Sequence, residues 1–444
     1  MKNNAVCHQD NQYVSLLHDL TYEAANTCVQ CGYCLPACPT YESMGKESQS
    51  PRGRINLVKM AAEGKIDLQK DLAEPIDLCL GCRACEVACP VGVPYGEIYE
   101  ATRQVLTFQQ KEEDNKPSIG VKVRNQMLNH VFPHQKRLRL LGNATWLYQK
   151  TGVNKVARKL KLVNKVSESI GQFEKILPPV ESPLKRYQFG DIFPVRGEKK
   201  ATVAFFAGCI MDGMMANINR LTIELLQSVG CEVFIPKGQK CCGALHAHQG
   251  MMDGAKELAK ANIEAFESSK ATYFINNAGG CGAMLREYDK HFKGDPEWEK
   301  RSRRFVEKSR DITEILAQFG PLPYKKEWDG TITYQDSCHL RNVQGVADEP
   351  RELLRSVPGA HFVEMKGSDR CCASGGIYNL IHFDESMKIL DDKMEHVKAT
   401  NAQTIVTTNP GCLLQMKLGV ERSGLENTRA LHIVEVLAEA CGIR

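Results

Sequence analysis

Eight of the 19 cysteines in this 444-residue chain fall into two runs of identical spacing. Cys28, Cys31, Cys34 and Cys38 form C-x2-C-x2-C-x3-C, followed by Pro39. Cys79, Cys82, Cys85 and Cys89 repeat the pattern, followed by Pro90. Three cysteines at two-residue gaps let a short looped backbone place three thiolates around one iron–sulfur cube. The fourth lies on chain heading away from the loop, so it reaches the other cube. The expected ligand sets are therefore Cys28, Cys31, Cys34 with Cys89, and Cys79, Cys82, Cys85 with Cys38. Zinc or disulfides are the alternatives. Zinc sites usually pair C-x2-C hooks across a longer loop. Disulfide frameworks belong to short secreted chains. Neither accounts for two four-member runs with trailing prolines, so two [4Fe-4S] clusters are expected.

A second group of cysteines repeats later in the chain. Cys209, Cys241, Cys242 and Cys281 have the form C-x31-CC-x38-C. Cys338, Cys371, Cys372 and Cys412 have the form C-x32-CC-x39-C. Local context repeats too. Asn276-Asn-Ala-Gly-Gly-Cys281 and Thr408-Asn-Pro-Gly-Cys412 each follow a strand-like run. Spacing that matches to within one residue, in matching context, marks two related units. Cysteines at or past strand ends sit where open α/β sheets bind ligands. Each set of four is a candidate for a third or fourth iron–sulfur cluster. A structural or dithiol role without a cluster is the alternative.

These cysteines need scaffolds of two kinds. Leu16, Leu17, Leu20 and Ala24 recur at helical spacing before the first run, and residues 52–63 read as a helix that Gly64 can end. Forty mostly helical residues separate Cys38 from Cys79, more than a compact ferredoxin needs, so this is a helix-padded domain. After residue 197 strands alternate with helices. Ala201–Ala207, Glu232–Ile235, Thr272–Asn276 and Ile332–Gln335 read as strands, and Asn217–Val229 and Leu258–Phe266 as helices. The expected domains are 1–105, a 2x[4Fe-4S] ferredoxin-type domain; 106–196, a basic and mainly helical linker; and 197–325 and 326–444, two α/β repeats. The fold class is α+β multidomain.

Between residues 115 and 167 there are 12 lysines and arginines and no acidic residue. Arg137, Arg139, Lys150, Lys155, Arg158, Lys159 and Lys161 alternate with Leu138, Leu140, Leu141, Trp146, Leu147, Val156, Leu160 and Val163. This basic amphipathic pattern suits an acidic partner subunit, an anionic lipid surface, or simple solvation. No recognition pattern for nucleic acid accompanies it. The net charge of +4 names no partner. The first residues are polar and no run of 18 apolar residues occurs. The expected location is therefore cytoplasmic, with peripheral contact at the inner membrane face left open.

Other residues weigh less. Cys7 reads as incidental. In Pro51-Arg52-Gly53-Arg54 the arginines either shield cluster charge or dock a partner, or they simply begin a solvated helix. His339 with Arg341, and more weakly His246 and His248, are candidates for contact beside the cysteines. A satisfied structural histidine is the alternative for each. His130 and His134 lie in the linker without a chemical role. Asp212 and Asp336 flank the repeat cysteines. No dinucleotide fingerprint and no phosphate loop occur, so nothing here holds the hydride acceptor that oxidation of a 2-hydroxy acid needs.

The CC-containing repeats resemble the cysteine-rich CCG domain. Over nearly its whole length the chain resembles the iron–sulfur subunits of bacterial glycolate oxidase, which join two C-x2-C-x2-C-x3-C-P motifs to two such repeats. Related arrangements occur in anaerobic glycerol-3-phosphate dehydrogenase, lactate-utilisation proteins and heterodisulfide reductase. The resemblance implies a non-catalytic electron-transfer subunit of a flavin-dependent 2-hydroxy acid dehydrogenase. A flavoprotein (FAD) partner would oxidise glycolate, and electrons would leave to a quinone or another carrier. The same role in lactate or glycerol-3-phosphate oxidation is the alternative. A thiol/disulfide reductase and a zinc scaffold are alternatives of another class. Heterodisulfide reductase subunits end each full motif in C-x-x-C, whereas Cys281 precedes Gly282-Ala283-Met284 and Cys412 precedes Leu413-Leu414-Gln415. The fifth sulfur is missing from both copies, which counts against disulfide reduction. Cys372-Ala373 also replaces the usual Cys-Gly.

Overall fold

The computed structural model describes residues 12–113, 119–166 and 168–443; Cys7 lies outside them. The chain forms two units. One comprises Met1–Arg124 with Leu245–Gly254, the other Asn125–Ala244 with Ala255–Arg444.

The described part of the first unit is helical. Helices Gln12–Asn26, Pro51–Ala62 and Tyr95–Glu113 carry the two cysteine runs. Their apolar faces meet in a core that includes Leu17, Val58, Leu72, Ile76, Ile98 and Val105. Helix Pro51–Ala62 has strong start signals. Ser50 caps it by accepting from the Gly53 N–H, and Pro51 supplies a first-turn residue that needs no donor. The expected helix over 52–63 is thus present. Between the runs lie a π-helical turn, Leu68–Leu72, and the short helix Ala73–Asp77. Leu245–Gly254 packs on helix Tyr95–Glu113, with Arg103 Nε donating to the His248 carbonyl at 3.0 Å.

The second unit holds two sheets of nearly the same design. The first contains β1 (Ile192–Phe193), β2 (Ala201–Phe205), β3 (Cys231–Phe234), β4 (Tyr273–Asn276) and β5 (Ser309–Asp311), in the order β1-β3-β2-β4-β5. The second contains β6 (Thr331–Tyr334), β7 (His361–Phe362), β8 (Thr404–Thr407) and β9 (Arg429–His432), in the order β7-β6-β8-β9. All neighbours are parallel except β1, which pairs antiparallel with β3. Strands β3-β2-β4-β5 thus match β7-β6-β8-β9 one for one. A single apolar core runs through both sheets, including Val203, Phe205, Ile275, Ile332, Tyr334, Val406 and Leu437.

The basic linker lies on this unit. Helix Gln135–Lys150 meets the segment after β2 so closely that a Cβ on Gly142 would stand 2.1 Å from the Gly213 carbonyl oxygen. Only glycine permits that approach. Leu138 is buried in the packing, while Leu140 is 69% exposed. The amphipathic stripe therefore divides between an inward and an outward face.

Candidate metal centres

Two cavities sort the first eight cysteines. One is lined by Cys28, Cys31, Cys34, Cys85 and Cys89. The other is lined by Cys38, Cys79, Cys82 and Cys85. Cys89 thus stands with the first trio and Cys38 with the second, and Cys85 borders both. The loops reach this geometry through left-handed residues: Gln30 at φ 58° and Gly32 at φ 86° in the first run, Gly81 and Arg83 at φ 61° in the second. Each such residue turns the chain sharply around the space between the sulfurs.

Donors point at the sulfurs from several directions. Gln30 Nε2 lies 3.4 Å from Cys28 Sγ, and the Val93 N–H 3.5 Å from Cys89 Sγ. The Gly81 N–H and the Tyr95 hydroxyl approach Cys79 Sγ at 3.4 and 3.3 Å. Thr40 Oγ1 lies 3.2 Å from Cys38 Sγ. Burial pushes the Cys34 and Cys38 thiols up, and raises Cys85 well above its ordinary value. A bare thiolate is costly here; one bound to a metal is not.

Arg54 adds an independent sign of what these cavities hold. Its side chain is 1% exposed and lines the second cavity. It donates to the Pro75 carbonyl at 2.7 Å, Gln49 Oε1 at 2.9 Å and Thr40 Oγ1 at 3.1 Å, and it reaches Cys38 Sγ at 3.9 Å. None of these partners is a carboxylate. A buried guanidinium needs a nearby anion, and a thiolate-ligated cluster supplies one. The residues therefore fit such a group. The reading of Arg54 as a solvated helix-start residue is overturned. Arg52 is different: its Nε pairs with Glu47 at 2.7 Å, and its Nη1 donates to the Gln30 carbonyl.

In the repeats the cysteines stand past the C-terminal ends of strands. Cys209 follows β2, Cys241 and Cys242 follow β3, and Cys281 lies in the first turn of helix Gly279–Arg286 after β4. Strands β2 and β4 are neighbours from which the order runs in opposite directions, the position at which doubly wound sheets open a crevice. Cys241 Sγ lies 3.7 Å from Cys209 Sγ. That contact and burial lift the Cys209 thiol well above its ordinary value; Cys242 is raised by hydrogen bonding with Cys241 and Cys281 and by burial. In the second copy Cys371, Cys372 and Cys412 are buried and Cys338 is half-buried. Hydrogen bonding with Cys371 favours the Cys372 thiolate, but bonding with Cys412 and burial prevail and raise that thiol. Ala373, in the place of Gly243, takes the same left-handed conformation, φ 65° against 93°.

The two repeat sites are neighbours. Asn409 accepts from the Gly280 N–H at 3.0 Å and donates to Cys412 Sγ at 3.6 Å. Gln344 of the second repeat donates to the Gly279 carbonyl at 2.9 Å. Besides Ala373, one buried position distinguishes the copies. Asn262 Nδ2 donates to the Cys241 carbonyl in the first. In the second, Lys393, also buried, donates to the Arg370 carbonyl just before Cys371.

The remaining candidates fall into place around these sites. Asp212 and Asp336 are not bare charges beside the cysteines: Asp212 pairs bidentately with Arg139, and Asp336 with Arg351. Arg139 and Arg158 therefore leave the docking stripe, since Arg158 is bound to Glu174. Arg341 lies 3.6 Å from Asp336, and His339 Nδ1 lies 3.8 Å from Cys338 Sγ. His248 Nδ1 is 3.3 Å from Glu100, and His246 is buried. His130 serves through its backbone carbonyl, which accepts from Arg137. Sequence reasoning missed Tyr95, Lys393 and the buried role of Arg54; only the short PRGR motif hinted at the last. Among the described residues no cysteine forms a disulfide. Among the described residues no three His, Cys, Asp or Glu side chains converge on one metal ion. A cubane, which takes one thiolate at each of four separate irons, needs no such convergence.

Comparison with known proteins adds a second line. Residues 24–93 match the family model of the 4Fe-4S dicluster domain. Residues 121–177 match the linker region of the glycolate oxidase iron–sulfur subunit. Residues 203–286 and 332–417 each match the cysteine-rich domain. The chain is 47% identical over 420 residues to the probable glycolate oxidase iron–sulfur subunit of Bacillus subtilis, covering 94% of each chain. It is 26% identical over 416 residues to the glycolate oxidase iron–sulfur subunit of Escherichia coli, covering 93% of each. Lactate utilization protein A of Oceanobacillus iheyensis is 36% identical over 236 residues, 53% of this chain and 96% of that one.

Proposed function

Since the chain belongs to the family of glycolate oxidase iron–sulfur subunits, we propose that it is the electron-carrying, non-catalytic subunit of a flavin-dependent 2-hydroxy acid dehydrogenase, with glycolate as substrate. Its architecture is a helix-rich ferredoxin-like domain followed by two α/β cysteine-rich repeats. The observation that carries the reading is the pair of cavities, each bordered by three cysteines of one run and the fourth of the other. Cys28, Cys31, Cys34 and Cys89 would hold one [4Fe-4S] cluster, and Cys38, Cys79, Cys82 and Cys85 the other. Such clusters accept and release one electron at a time. The chain's part is to hold the thiolates apart and direct N–H and O–H donors at them. Cys209, Cys241, Cys242 and Cys281, and Cys338, Cys371, Cys372 and Cys412, are assigned to a third and a fourth cluster.

The flavin belongs to a partner subunit, and electrons leave to a quinone or similar carrier. The outer face of the linker, with Leu140, Leu147, Val156 and Leu160 exposed beside Lys150, Lys155, Lys159 and Lys161, suits an acidic subunit. No helix among the described residues is long and apolar enough to cross a membrane. The shorter match to lactate utilization protein A supports lactate as the second substrate reading.

The test is anaerobic co-purification with a tagged chain, followed by iron and sulfide analysis. A flavoprotein should accompany it, with about 12 to 16 irons per chain if the repeats are filled and about eight if they are empty. Oxidation of glycolate by the isolated chain would overturn the assignment. So would binding of this linker face to anionic vesicles but not to the flavoprotein, for the docking part alone.

A further inference from the structure

The two thiolate cavities are alike in donors to sulfur and unlike in charge. Each receives a short list of N–H or O–H groups: Gln30 and Val93 in one, Gly81 and Tyr95 in the other. Each also has an arginine from the same motif. Arg52, on the first cavity, is bound by the Glu47 carboxylate through Nε at 2.7 Å and Nη2 at 3.3 Å. Its charge is neutralised within the pair, and its side chain is 29% exposed. Arg54, on the second cavity, is 1% exposed and meets only neutral oxygens and the Cys38 sulfur. Its whole positive charge acts on the thiolates of that cavity, in surroundings where water screens little.

We propose that Arg54 is a positioning residue that holds the reduction potential of the cluster on Cys38, Cys79, Cys82 and Cys85 above that of the cluster on Cys28, Cys31, Cys34 and Cys89. An added electron makes a thiolate-ligated cluster more negative. A fixed cation nearby favours that state, so the cluster beside it reduces first. Among the described arginines lining the two cavities, Arg52 pairs with Glu47 and Arg83 with Glu86, while Arg54 has no carboxylate, so the pair is graded and not degenerate. With both clusters bound, an electron entering at either end would come to rest beside Arg54. The Tyr95 hydroxyl at Cys79 works in the same direction with a smaller effect. Helix Pro51–Ala62 makes the arrangement rigid, because its capped first turn carries both arginines.

The inference rests on the two-cluster reading, and one experiment separates the two. Iron and sulfide per chain test the clusters; a redox titration followed by electron paramagnetic resonance tests Arg54. In Arg54→Gln one of the two cluster signals should titrate at lower potential. Its reduced-to-oxidised ratio at fixed potential should fall at least tenfold, 59 mV for one electron. The other signal should stay in place. Arg54→Lys, which keeps the charge, should restore most of the shift. If Arg54→Gln fails to assemble the cluster, Tyr95→Phe reads the same site and must lower the same potential. Full cluster content with both potentials unmoved, or both moved equally, overturns the proposal. Absence of the clusters from the unaltered chain overturns the underlying reading instead.

Discussion

Arg139, on the linker helix, grips Asp212 just past Cys209 with two hydrogen bonds of 2.8 and 2.9 Å. Its guanidinium also lies over the Phe189 ring at 4.4 Å. Asp212 is 1% exposed, so removing its partner would strand a buried carboxylate. Arg139→Ala should cost about 3–5 kcal/mol in denaturant unfolding. Asp212→Asn in the same chain should return much of that loss, because the stranded charge is gone. A double-mutant cycle with no coupling between the two positions would refute the account.

The proposed crossed ligation makes a sharp forecast for single cysteine variants. Cys38→Ser should disturb the same paramagnetic signal as Cys79→Ser. Cys89→Ser should disturb the signal altered by Cys28→Ser. If Cys38 instead groups with Cys28, each run ligates its own cluster and the assignment is wrong.

Gly53, between the two arginines, has a steric reason to be glycine. A Cβ there would stand 1.9 Å from the Glu47 carbonyl oxygen, a backbone atom that cannot swing aside. Gly53→Ala should therefore displace the helix start, with a loss of about 1–3 kcal/mol or more. The cluster nearest Arg54 should be lost first on exposure to a chelator. Unchanged melting and iron content would contradict the crowding.

His432 should make the second unit acid-sensitive. It is fully buried; Nε2 lies 3.0 Å from the Asn277 carbonyl oxygen, and Nδ1 accepts from the Val434 N–H at 3.3 Å. Burial pulls its pKa down to about 4, although hydrogen bonds to the Asn277 and Thr408 carbonyls oppose this. Unfolded, it titrates near 6.5. Between these values the unfolded chain binds the extra proton, so stability is complete above pH 6.5 and is lost as pH falls toward 4. The whole gap corresponds to about 3 kcal/mol. Unfolding measured at pH 7 and pH 5 should lose about 2 kcal/mol more in the unaltered chain than in His432→Gln. Equal losses in both would remove His432 from the explanation.

Ala373 carries a left-handed conformation that Gly243 adopts freely in the other repeat. Ala373→Gly should raise stability by up to about 1 kcal/mol, the relief of the Cβ less the entropy of glycine. A clear destabilisation would mean that the Ala373 methyl contributes packing that outweighs its strain.

What could be read in advance followed from chemistry that depends on spacing. The cysteine runs, the duplicated CC units and the apolar strands β2, β4 and β6 all carry local signals. Strands β1 and β7 are two residues long, and β5 is Ser-Arg-Asp, so their pairing comes from neighbours in the sheet and not from apolar periodicity. The partner of Asp212 lies 73 residues away in a segment that reads as a solvated basic helix. Leu138 and Leu140 look alike in sequence, and only packing sends one inward. Arg52 and Arg54 share a motif, yet Glu47 takes the charge of one and leaves the other to the thiolates.

The contacts between the repeats give the duplication a further meaning. Gly280 leans on Asn409, and His432 reaches back to the Asn277 carbonyl of the first copy. Each half supplies hydrogen bonds to the other's loop beside the cysteines, as the two subunits of an obligate dimer do. The peptide between them replaces association with a tether, which keeps the partner's effective concentration high at any dilution. A single copy expressed alone would present a half-built face. This chain is in effect a dimer that cannot dissociate, and its two halves were free to diverge, as Asn262 and Lys393 have done.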